Sequence, residues 1–184
     1  MATPKVTFPG LLHPLSMMRR ARDLPGLEFQ EIESQELPEP YKELLAHEGD
    51  MTSRLENAYR SSIRVNMLRS SNDGKNYYRE VILQTSDSPS RAVEYGAIEI
   101  QLSHLPDFAK EEVIVGEKPL GGILNEGRIP YGCELRGFFK ISPDSSIKEA
   151  FAMETPVELF GRSNRIKARS GDTIAMIVEI LPPS

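Results

Sequence analysis

Tryptophan is absent from this 184-residue sequence, cysteine occurs once, at Cys133, and histidine three times. A single cysteine excludes a disulfide framework within the chain and any cysteine-based zinc site, and it fits a reducing, cytoplasmic setting. His13, His47 and His104 stand in unrelated contexts without ligand spacing, so each reads as a surface or packing residue and no metal is expected. No apolar run approaches the roughly 20 residues of a membrane span. The first 20 residues lack the order of a secretory signal, because His13 and Pro14 break their apolar stretch and the charges follow it. Positive charge is in short supply too: 22 Lys and Arg stand against 27 Asp and Glu, for a net charge of -5. Such a surface repels phosphate backbones, so neither nucleic acid nor membrane is expected as a partner. An anionic ligand would need local Arg or Lys set against the overall balance.

What remains is an ordinary globular composition, 39% apolar and 27% charged. The length predicts one domain over residues 1–184, large enough to fold without a metal or disulfide staple. Residues 1–36 show no clean period and contain Pro4, Pro9, Pro14 and Pro25, which predicts an irregular arm with at most a helical turn near Ser16 to Arg22. Pro38 and Pro40 precede helical spacing at Tyr41, Leu44 and Leu45, and Gly49 stops that helix. A second short helix follows, with Ser53 and Glu56 as a capping box and Asp50 as a competing cap.

Six strands are predicted. Ile63, Val65 and Met67 alternate with polar neighbours, and Asn72-Asp73-Gly74 marks a turn into Tyr77 to Gln84. Ala92 to Ile100 is the third strand. Its apolar phase shifts across Gly96, which predicts a bulge there. A short helix over Pro106 to Val115 and an apolar, glycine-containing turn over Pro119 to Leu124 into another helical piece precede Leu135 to Ile141, Glu158 to Arg169 and Thr173 to Leu181, the last two joined by Ser170-Gly171-Asp172. Connections this short demand antiparallel neighbours, so the expected fold class is α+β: a single six-stranded antiparallel sheet with helices on one side.

Two charges break the strand patterns. Arg79 shares a face with Tyr77, Val81 and Leu83, the more apolar side of its strand. Glu179 lies in a strand apolar on both faces, among Ala175, Ile177 and Leu181. A guanidinium or carboxylate placed so is costly unless it meets an opposite charge or a ligand. The two either pair with each other or line a cleft in which the arginine binds an anion and the glutamate moves a proton. Weaker candidates have blander readings. Cys133 reads as a packed thiol, Gly121-Gly122 as a helix-opening turn, and Arg162, Arg165, Lys167 and Arg169 as the solvated side of an edge or bent strand rather than an anion patch.

Four segments, in order, resemble the chorismate lyase (chorismate–pyruvate lyase) family: Met51-Thr52-Ser53-Arg54-Leu55-Glu56, Tyr77-Tyr78-Arg79-Glu80-Val81-Ile82-Leu83, Pro119-Leu120-Gly121-Gly122-Ile123-Leu124, and Phe160 to Ile166 through Ser170-Gly171 to Glu179-Ile180-Leu181-Pro182. They span residues from about 44 to 182. Val93-Glu94-Tyr95-Gly96-Ala97-Ile98 is similar to a more divergent branch. Gly122 departs from the pattern, standing where the family carries a larger residue, and the loop between the first two strands is short.

The resemblance implies a chorismate lyase-like sheet, a buried site and no cofactor. It also implies cleavage of chorismate to 4-hydroxybenzoate and pyruvate by a monomer or homodimer acting on a small cyclic carboxylate. Arg79 and Glu179 would be catalytic. Arg79 would hold a carboxylate, Glu179 would face the ether or hydroxyl oxygen, and the amides near Met51 and Leu120 would complete the substrate site. The alternatives are the same scaffold acting on a different small cyclic carboxylic acid, or a non-catalytic small-ligand-binding module. Similar folds serve as effector domains of transcription regulators, but residues 1–50 show no DNA-binding helices.

Overall fold

The computed structural model describes residues 9–184. The first eight residues of the expected arm lie outside the described residues. The rest of the arm is more regular than its prolines suggest. Helix α1 (Leu15–Arg20) opens after Pro14 and closes with Arg19 and Arg20, cations that complement a helix C-terminus. Strand β1 (Phe29–Ile32) then pairs antiparallel with a later strand, Phe29 opposite Ile141.

Helix α2 (Tyr41–Leu45) leads to α3 (Met51–Tyr59). Asp50 wins the competition for the cap of α3: its Oδ2 accepts the Ser53 N–H at 2.8 Å, an interaction worth about 1 kcal/mol. Three hairpin-linked strands follow, β2 (Ile63–Asn72), β3 (Asn76–Thr85) and β4 (Ala92–Gln101). Helix α4 (Asp107–Val115) is bounded by Pro106 before it and by Gly116 after it, whose φ of 78° suits a residue without Cβ. Helix α5 (Leu120–Glu126) precedes β5 (Tyr131–Ile141). Helix α6 (Ser145–Ala150) is capped by Asp144, which accepts the Ile147 N–H at 3.1 Å. The chain ends in the hairpin of β6 (Leu159–Ala168) and β7 (Thr173–Ile180).

All neighbours are antiparallel, in the order β1-β5-β6-β7-β4-β3-β2. The α+β class is the expected one, but the sheet has seven strands rather than six, because β1 adds to the β5 edge. Helices cover both faces rather than one. Leu15 and Met18 of α1 and Ile147 of α6 pack with Ile82, Tyr95 and Val178 on one side. The other side packs against α2 to α5 through Leu45, Leu55, Leu120 and Leu124. Truncating a fully buried leucine such as Leu55 costs roughly 2–5 kcal/mol.

This double cover explains β4. The expected bulge at Gly96 is absent: the ladder runs through it, Val81 opposite Gly96 and Gly96 opposite Glu179, and the register shift falls between Leu83 and Gln84. The change in apolar phase reflects burial of both faces, not a kink. Among the described residues no helix is long and apolar enough to cross a membrane.

Candidate functional site

Strand register places the unusual charges on one face. Val81, Gly96, Glu179, Arg162 and Phe138 lie side by side across β3, β4, β7, β6 and β5. One step along, Arg79, Ile98, Ile177 and Asn164 form the next row. The Cα atoms of Arg79 and Glu179 are therefore two strand spacings and two residues apart, roughly 12 Å. Glu94 is two residues from Gly96, so it shares this face.

Apart from Arg162 and Phe138, these rows floor a cavity of about 530 Å³, counting its open mouth. Its roof is the first turn of α3, with Asp50, Met51 and Thr52, and the first turn of α5, with Leu120 and Gly121 behind Pro119. First-turn N–H groups have no acceptor inside their own helix, so both turns bring donors to the rim. Val81, Leu83, Ile98, Ile166 and Ile177 supply apolar wall. Gly96 keeps the floor low, since a Cβ there would lie 3.1 Å from Glu94 Oε1 and 3.3 Å from a Val81 methyl. Asp50 also accepts the Tyr131 hydroxyl at 3.2 Å, which joins the α3 turn to β5.

The structure thus brings Arg79, Glu179, Met51 and Leu120 to one cavity. Arg79 and Glu179 do not pair with each other. Arg79 is 2% exposed, and among the described residues it has no carboxylate partner. Its Nη2 donates to the Lys118 carbonyl at 3.0 Å, while Nε and Nη1 have no hydrogen-bond partner among the described residues. Burial lowers its affinity for a proton from the usual arginine value, and neighbouring Tyr77 offsets part of that.

Glu179 has a different cation. Its Oε2 accepts Arg162 Nε at 2.5 Å, and both side chains are buried. The expectation that Arg162 is solvated is overturned. Its remaining nitrogens donate to the carbonyls of Leu45 (3.4 Å), His47 (2.8 Å) and Gly49 (3.0 Å). Burial opposes the charge of Arg162, but Glu179 and Glu94 outweigh it and hold the guanidinium above its usual value. Burial, with the Arg162 and Arg54 charges, lowers His47 to about 4, so its ring is neutral beside this group. Arg165 and Lys167 do reach Glu134, but β6 is no edge strand: it lies between β5 and β7 inside the sheet.

Glu94 is the residue that sequence reasoning passed over. It is 4% exposed, and its Oε2 has no partner among the described residues. Burial first and the Glu179 charge second push its carboxyl well above the ordinary range, against the pull of Arg162. Cys133 is half-buried behind this cluster, and burial pushes its thiol up, which makes it a poor nucleophile. Among the described residues no group of three or more His, Cys, Asp or Glu is arranged to hold a metal ion. The cavity therefore offers an anion-binding guanidinium at one end, an ion-paired carboxylate and a protonated carboxyl at the other, and apolar wall between.

No protein-family model and no curated protein matches the chain by sequence. Solved structures do match by shape. PhnF from Mycobacterium smegmatis is similar at a TM-score of 0.52 and 12% identity, over 73% of this chain and 64% of that one. The separate effector domain of PhnF matches at 0.52 and 12%, over 72% of this chain and 88% of the domain. The chain thus spans somewhat under two thirds of whole PhnF but most of its effector domain. At this identity the likeness shows the fold alone, an α+β antiparallel sheet shared with the PhnF effector domain.

Proposed function

We propose that the cavity binds a small cyclic carboxylic acid, with the carboxylate on Arg79 and the ring between the sheet and the opening turns of α3 and α5. One observation carries this reading: a buried guanidinium with no carboxylate partner and two nitrogens without hydrogen bonds. Leaving such a cation unmet is costly, and a bidentate carboxylate is the group its planar fork fits. The apolar wall suits a ring, and Glu179 and Glu94 give the far end polar contacts. The shape shared with the PhnF effector domain supports ligand binding as the primary activity.

A second reading, cleavage of chorismate, is favoured by the paired carboxyls in addition to the four family-like segments. In that reaction the ether C–O bond at ring carbon 3 breaks, ring carbon 4 loses a proton, and the departing enolpyruvate takes one up to become pyruvate. The ring is left as 4-hydroxybenzoate. An ionised and a protonated carboxyl in one enclosed wall are groups suited to such proton movement, and Arg79 would fix the pose.

The test is calorimetric titration of benzoate and 4-hydroxybenzoate into the protein and into Arg79→Met, with incubation of the protein with chorismate alongside. Saturable binding lost in Arg79→Met supports the site, and equal affinity in both proteins sinks it. Pyruvate released in step with 4-hydroxybenzoate makes the site a lyase. Binding without turnover makes it a ligand-binding module.

A further inference from the structure

On the reading that the cavity holds a small cyclic acid, its two carboxyl groups do different work. We propose that Glu94 donates a hydrogen bond to the ligand through its carboxyl O–H, and that Glu94 and Glu179 together select a ligand bearing a hydroxyl group opposite its carboxylate.

The argument begins with what each carboxyl already touches. Glu179 accepts from Arg162 Nε at 2.5 Å, so it meets the ligand as an acceptor. Arg162 makes no hydrogen bond to Glu94 among the described residues; its Nη1 and Nη2 reach backbone carbonyls, and it acts on Glu94 through its charge alone. Glu94 Oε1 lies close over Gly96, the floor residue that pairs with Glu179, and its Oε2 is buried in the cavity wall without a partner. Two ionised carboxylates facing one cavity repel each other. Both are buried, but Glu179 has the Arg162 guanidinium and Glu94 has no hydrogen-bonded cation, so Glu94 carries the proton. A carboxylic acid is a donor that a buried wall cannot leave unmet, and a ligand entering the cavity is the group that can meet it.

A hydroxyl group completes this pair. It accepts from Glu94 while it donates to Glu179, whereas an unsubstituted ring does neither and an aromatic amine only donates. The arrangement recognises an oxygen by offering it one donor and one acceptor, and Arg79 holds the opposite end.

Titration of benzoate, 4-hydroxybenzoate and 4-aminobenzoate into the wild type, Glu94→Gln and Glu94→Leu tests the proposal. Benzoate reads the cavity and Arg79 alone, so failure of the wild type to bind any of the three sinks the cavity reading and this inference with it. The wild type is expected to prefer 4-hydroxybenzoate to benzoate by about tenfold or more, roughly 1.4 kcal/mol. The amide of Glu94→Gln still donates and keeps most of that preference. Glu94→Leu loses most of it, read as the ratio of 4-hydroxybenzoate to benzoate affinity within that variant. A preference undiminished in Glu94→Leu, or lost equally in Glu94→Gln, overturns the assignment of Glu94 as donor.

An infrared measurement decides the matter without the leucine variant. The difference between wild type and Glu94→Gln at neutral pH should contain the C=O stretch of a protonated carboxyl, which moves when 4-hydroxybenzoate is added and stays when benzoate is. No such band means that Glu94 has no proton to donate.

Discussion

Consecutive residues of β3, Arg79 and Glu80, send opposite charges to opposite faces of the sheet, and both are buried, at 2% and 0% exposure. Glu80 has counter-charges on its Oε2, although its Oε1 has no hydrogen-bond partner among the described residues. Arg69 bonds its Oε2, Arg22 lies 3.4 Å from the same oxygen, and Tyr95 faces it, its hydroxyl pushed up by burial and by the Glu80 charge. Arg79 has one backbone carbonyl. The contrast separates a charge that holds a fold together from one that waits for a visitor. Burial is common to both, so it marks neither; a missing counter-charge is the distinguishing sign.

Substitutions can break or sharpen that contrast. The largest effect is expected at Arg162, which belongs to the structural kind although it pairs with Glu179 of the cavity floor. Arg162→Met leaves Glu179 buried and unpaired and frees three carbonyls, so urea denaturation should show a loss of roughly 3–5 kcal/mol. A loss under about 1 kcal/mol would place Arg162 with Arg79 instead. Arg79→Met should behave oppositely: melting temperature unchanged or raised, and benzoate binding weaker by roughly 10- to 150-fold, the worth of about 1.5–3 kcal/mol for hydrogen bonds to a charged group. Glu80→Gln should cost about 1–2 kcal/mol, discounted because Arg22 and Arg69 are each more than a third exposed, and should leave benzoate affinity as it is.

The smallest expected effect is a pH dependence. In the folded protein Glu94 keeps its proton at pH values where the unfolded chain, near the ordinary value of 4.5, has released it. The folded state binds more protons, so Glu94 lowers stability as pH rises above that value. Glu94→Gln is therefore expected to melt higher than the wild type at neutral pH, with the gap closing as the pH falls to about 4.5. A gap that does not change over that range would mean that Glu94 is ionised in the fold.

Most of the sheet was legible because its strands are long and alternate. Arg79 and Glu179 stood out because each interrupts an apolar face. The same reasoning applied to β6 would have found Arg162: it has the parity of Asn164 and Ile166, opposite to Arg165, Lys167 and Arg169, yet four cations in a short stretch read as one solvated group. Glu94 was hidden by β4 itself. With both faces buried no polar side remains for contrast, and Gly96 blurs the phase. Strand β1 offers four residues, of which only Ile32 is buried, and α6 is a six-residue helix, so neither is long enough to show a period. The pairing of Glu179 with Arg162 rather than Arg79 follows from strand order, which alternation along a single strand does not encode.

One guanidinium, that of Arg162, grips the carboxylate in the depths of the chamber, the carbonyl of Leu45 at the end of α2, and those of His47 and Gly49 in the connection ahead of α3. A planar group strung among four acceptors cannot lean toward one without tugging on the rest. Asp50, next along that connection, caps α3 at the rim. Whatever settles against Glu179 therefore pulls on the doorway as well as the back wall, and the chamber tightens or slackens as one piece.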